Sequence, residues 1–144
     1  MRLSRPLRRG KEEGSAAIEA ALVLLVLPMF LIGSVEFGRA LWMGHTMLLA
    51  VEEAGRYAMV YGASPSLLTS ASCPNVATVS LANCAVAKAN AYLADYGGTG
   101  VNVTSSAATS TLTIQATYTF NFIDPILLPF GPITLSNQVT VPTI

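Results

Sequence analysis

Charge is what this chain has least of. Its 144 residues carry eight basic and eight acidic side chains, one histidine, two cysteines and one tryptophan. The single histidine, His45, is distant in sequence from two isolated cysteines, which is not a metal ligand set, and its place on a long helix reads as a surface or packing position rather than a catalytic one. Serines and threonines are abundant, but none has a base at a recognisable spacing, and no phosphate-binding loop is present. Glu52 and Glu53 are adjacent and point in different directions on a helix, so they do not form a catalytic pair. The expectation is a protein that is not an enzyme and takes no metal or cofactor.

The few charges are unevenly placed. Residues 1–14 hold five basic groups (Arg2, Arg5, Arg8, Arg9, Lys11) and two acids, whereas the remainder holds three basic groups and six acids. From Ala20 through Val35 there is no charged side chain at all. A membrane-crossing helix needs roughly 20 predominantly apolar residues, and Gly14 to Val35 supplies about that. A basic flank on one side of an apolar span marks the cytoplasmic side, so the bulk of the chain is expected across the membrane. Read this way, the basic tail is a topology signal rather than a nucleic-acid footprint. One acid, Glu19, lies inside the apolar stretch. An ionisable group there costs a few kcal/mol and is by default a functional-site candidate.

In chain order, residues 1–13 are polar, basic and proline-containing. Helical pattern begins near Ser15 and runs to Gly62, about 45 residues or roughly 65–70 Å, with Gly62 and Pro65 as its stop. Pro28 removes one backbone hydrogen bond and predicts a kink or local loosening. Beyond the apolar half, Glu36/Arg39 and Glu52/Arg56 have helical spacing on a polar side. Leu41, Met43, Met47, Leu48, Val51, Ala54, Ala58 and Met59 form a broad apolar face. Trp42 and Tyr57 fit either an interface or a core. Residues 63–80 read as a loop, and Leu81 to Tyr96 as a second, alanine-rich helix ended by Gly97-Gly98.

The period then changes from helical to two. Leu112, Ile114, Ala116, Tyr118, Phe120 and Phe122 alternate with Thr, Gln and Asn, a strand with one buried face. Val101 and Val103 suggest a shorter strand before it; Ile133, Leu135, Val139 and Val141 mark a third. The proline-rich link between the last two reads as a packed loop or a contact surface. Cys73 and Cys84 can be two free thiols in a reducing compartment or, in an exported domain, a disulfide. The topology favours the disulfide, whose loop would stabilise by roughly 2–3 kcal/mol.

A glycine-ended basic leader, an apolar helix directly after it and an acid five residues past the glycine need a joint explanation. A cleavable secretory signal has its small-residue site after the apolar core, and no such site follows Leu31. A cut after Gly14 instead leaves Ser15 with a charged α-amine one helical turn from Glu19. In a filament of staggered helices, Glu19 of one subunit meets the Ser15 amine of the next and fixes the stagger, since a carboxylate in apolar surroundings is tolerated when paired.

These residues resemble a known family. EEG-SAAIE, ALVLLVLPMFLIG, VEFGRALW and VEEAGRYAMVYG look like the TadE-like pseudopilins of tight-adherence (Flp-type, type IVb) pilus systems, over roughly residues 8–62. Ala20 stands where many such pilins have a tyrosine after the glutamate. The resemblance implies cleavage after Gly14 by a prepilin peptidase, Glu19 as the assembly glutamate, and other pilins or pseudopilins and the pilus assembly machinery as partners. It implies an inner-membrane protein with a cytoplasmic N-terminus and a periplasmic domain. The expected architecture is therefore α+β and pilin-like: a leader (1–14), a long helix (15–62) whose first half spans the membrane, and an exported domain (63–144) with a short helix and an antiparallel sheet of about three strands. The competing expectation is a single-pass anchored periplasmic scaffold or binding module that never enters a filament.

Overall fold

The computed structural model describes residues 12–73, 76–123 and 131–143. Its elements run α1 (Glu12–Gly62), a 3-10 turn (Pro65–Leu67), α2 (Leu81–Asp95), β1 (Asn102–Ala107), β2 (Thr111–Phe120) and β3 (Ile133–Pro142). This is the expected α+β layout of a long apolar helix, one further helix and a three-stranded antiparallel sheet in the order β1-β2-β3. The leader up to residue 11 and the proline-rich link at 124–130 lie outside the described residues.

Helix α1 has 51 residues and, at 1.5 Å per residue, spans about 76 Å. It begins three residues earlier than the apolar pattern suggests, so Gly14 and Ser15 are helical. Glutamate is a good helix former, which accounts for the early start. Pro28 sits inside the helix, and the helical assignment continues through it.

The two halves of α1 live in different surroundings. From Gly14 to Leu31 every residue is exposed. In the second half, Met47, Ala50, Val51, Ala54 and Ala58 are buried at the 3–4 spacing of one face. They pack with Ala85, Ala89 and Leu93 of α2 and with Val103, Leu112, Ile114, Ala116 and Val141 of the sheet. Small residues on both helices keep this interface thin. Gly55 is one place where nothing larger fits easily: a Cβ there would meet Val139 Cγ1 at 3.1 Å and Val141 Cγ1 at 3.4 Å. The buried face is narrower than the sequence implies, because Leu41, Leu48 and Met59 stay exposed. Trp42 is also exposed (63 %), whereas Tyr57 belongs to the core.

The ends of α2 follow from local chemistry. Ser80 caps its start, its hydroxyl accepting from the Asn83 backbone N–H at 3.2 Å. At the other end Gly97 takes φ +78°, and the Gly98 N–H donates to the Leu93 carbonyl at 2.7 Å, the six-to-one bond of a Schellman stop. In the sheet, Leu112 pairs Val141, Ile114 pairs Val139 and Phe120 pairs Ile133, so the apolar faces of β2 and β3 coincide. The opposite face carries hydroxyls and amides in register, with Thr113 and Thr140 hydroxyls 2.9 Å apart and Gln115 Nε2 donating to Ser136 Oγ at 3.0 Å.

Candidate assembly helix and its attachment

The residues singled out in the sequence lie along the exposed start of α1. Gly14, Ser15 and Glu19 are all on the helix and all exposed. With 3.6 residues per turn, Ser15 and Glu19 lie one above the other on the same face. Glu19 makes no hydrogen bond or ion pair with any described residue, and its neighbours Ile18 and Leu22 are 66 % and 60 % exposed. A lone carboxylate on an otherwise apolar, uncovered helix is costly in lipid unless it reaches an interface or acquires a partner. Of the helices in the described residues, α1 is the one long and apolar enough to cross a membrane.

The attachment of this helix to the domain involves a residue the sequence did not mark as special. Glu36 looks like half of a surface i,i+3 pair, yet it is 2 % exposed. Its Oε2 accepts from Arg39 Nη1 at 2.8 Å, and its Oε1 accepts from the Ile123 backbone N–H at 3.2 Å. Arg39 also lies over the Phe120 ring, 5.2 Å from its centroid. Both carboxylate oxygens are thus engaged, one by the helix itself and one by the chain leaving β2, where an unpaired charge would be expensive. The signal that could have revealed this was position: Glu36 is the first charge after the apolar run. By contrast Glu52 and Arg56 sit 3.8 Å apart with exposed side chains, an ordinary surface pair.

A second fastening lies further along. Asn137 occupies an inward position of β3, opposite Ala116, between apolar neighbours. Its Nδ2 donates to the Gly44 carbonyl of α1 at 3.0 Å, so a polar residue on the apolar face is satisfied by a helix backbone oxygen.

Within the domain, next to the end of α1, a covalent bond is added. Cys73 and Cys84 form a disulfide with Cα atoms 5.4 Å apart, tying the loop after α1 to the first turn of α2. The bridge is buried beside Tyr57, whose hydroxyl donates to the Ser72 carbonyl at 3.2 Å and whose ring stacks on Tyr61 at 4.3 Å between centroids. His45, the lone histidine, is exposed on α1 and lines an apolar groove against β3. Among the described residues no cluster of three or more His, Cys, Asp or Glu side chains could hold a metal ion.

Comparison with known proteins adds one finding. Neither the curated proteins nor the solved structures contain a match to this chain. The stretch that is recognised starts at the glycine before Ser15 and ends at Arg56, so it takes in Glu19, Glu36 and Gly55 but none of the sheet. Residues 14–56, all within α1, match the family model described as TadE-like protein, and that match suggests a role in tight-adherence pilus assembly.

Proposed function

We propose that the chain is a minor pilin-like subunit of a tight-adherence pilus, a structural protein without catalytic activity. It is inserted in the bacterial inner membrane through the first half of α1. Its basic N-terminus stays in the cytoplasm and its α+β domain lies in the periplasm, as the one-sided basic flank favours. A prepilin peptidase removes residues 1–14, and the mature chain begins at Ser15. The helix then leaves lipid for a bundle of like helices, with Glu19 paired to the freed Ser15 amine of a neighbour.

The observation that carries this reading is the state of Glu19. It is a carboxylate with no described partner, on a helix exposed from Gly14 to Leu31, one turn from the residue that processing would make cationic. An inert anchor has no use for that charge, whereas a packed filament uses it as a registry device. The domain supports the same reading, because two hydrogen bonds, at Glu36 and at Gly44, and a shared apolar core hold it to the helix so that both move as one subunit.

The test is Glu19→Ala in cells that make the pilus. The expected result is a chain that still inserts and folds while filaments are lost or strongly reduced. Undiminished piliation would overturn the filament role and favour the second reading, an anchored periplasmic scaffold.

A further inference from the structure

On the exported side of Glu36 lies an apolar groove of about 520 Å³ between α1 and β3. Its helix wall is Phe37, Ala40, Leu41, Gly44, His45 and Leu48, which are spaced as one helical face. Its sheet wall comes from Ile133 to Asn137. Phe37, Leu41, Leu48 and Ile133 are all exposed, so this is a contiguous uncovered apolar surface of the kind that marks an interaction site. Leu48 is twelve residues past Glu36, roughly 18 Å further along the helix and beyond the reach of a hydrocarbon core that ends near Val35. The groove also presents His45, whose ring nitrogens lipid tails cannot satisfy.

We infer that the occupant of this groove is residues 15–22 of α1 from a second copy of the chain, with that copy's Glu19 against His45. The inference rests on the filament reading above and names the surface that receives the helix. Charge singles out this occupant. Among the described residues the groove is lined by a single ionisable group of basic character, His45, and the exposed apolar stretch of α1 after residue 14 carries a single acid, Glu19. Ile18 and Leu22 flank Glu19 and provide apolar contacts for Leu41 and Leu48. The Cβ position of Gly44 meets nothing within 4 Å, leaving room for a second backbone to approach closely. Placing Glu19 beside His45 in parallel helices sets a stagger of about 26 residues, roughly 39 Å. A carboxylate offers about four lone-pair sites, so Glu19 can serve a neighbouring Ser15 amine and His45 together.

The test uses the full chain in piliated cells, with Leu48 replaced by the photo-cross-linker p-benzoylphenylalanine, an exposed position whose replacement leaves the core intact. Irradiation should give a dimer of the chain, and mass spectrometry should place the adduct within residues 15–24 of the other copy. His45→Ala in the same background should lower that dimer by about tenfold, the loss of one hydrogen bond to a charged group. Cross-links to lipid alone, to a different protein, or to sites elsewhere in the chain would overturn the groove assignment. So would a dimer yield indifferent to His45→Ala. If the chain is processed and in the filament while the adducts lie elsewhere, this inference falls alone; if the chain keeps its leader, the functional reading falls and takes the inference with it.

Discussion

Removing the Glu36 carboxylate is the perturbation that probes how the domain is held to its helix. In Glu36→Ala the Ile123 N–H loses an ionised acceptor at 3.2 Å, and Arg39 loses a partner at 2.8 Å. A hydrogen bond to a charged group contributes about 1.5–3 kcal/mol. The Arg39 side chain is 42 % exposed, so its share is that of a surface pair, a few tenths of a kcal/mol. The two together amount to about 2–3 kcal/mol, acting where the chain leaves β2 rather than in the core. Since 1.36 kcal/mol corresponds to a factor of ten, the Ile123 amide should exchange with solvent roughly 30–150-fold faster. The amides of Leu112 and Ile114, deep in the sheet, should keep their rates. Glu36→Gln retains an acceptor and should fall between the two. Hydrogen exchange on the full chain in detergent micelles reads each site. An Ile123 rate unchanged in Glu36→Ala would refute the role assigned to the carboxylate, and an equal acceleration at Ile114 would show that it stabilises the whole domain instead.

Three further outcomes follow from the packing. Gly55→Leu drives a side chain into Val139 and Val141, and overpacking of that kind should cost about 1–3 kcal/mol, read as a lower midpoint in denaturant titration. Cys73→Ser with Cys84→Ser should cost about 2–4 kcal/mol, and reducing agent should lower the unfolding midpoint of the wild type but not of the double variant. Asn137→Ala removes the bond to the Gly44 carbonyl and should cost about 1 kcal/mol, with faster exchange at the β3 amides nearest the helix.

Which of these features the sequence announces depends on how far apart their partners lie in the chain. Helix α1, helix α2 and the inward face of β2 are all readable, because each depends on a local period or a local stop signal such as Gly97 with its positive φ. Glu19 stands out for the same reason, as a charge inside an apolar run. Glu36 does not, because its second partner is Ile123, 87 residues away. Asn137 is hidden similarly: on an inward strand position it breaks the alternation, and only the fold brings the Gly44 carbonyl, 93 residues distant, to meet it. The covered face of α1 is narrower than its apolar pattern because helical spacing gives an apolar arc but not the part of that arc the domain covers. The excess, Leu41 and Leu48, lines the groove beside His45.

The proposed function requires that α1 pass from lipid into a filament after its leader is removed. The most direct measurement is the intact mass and N-terminal peptide of the chain recovered from sheared pili or membranes of cells carrying the prepilin peptidase. The expected result is a mature chain that begins at Ser15. A chain that still begins at Met1 in those cells would contradict it.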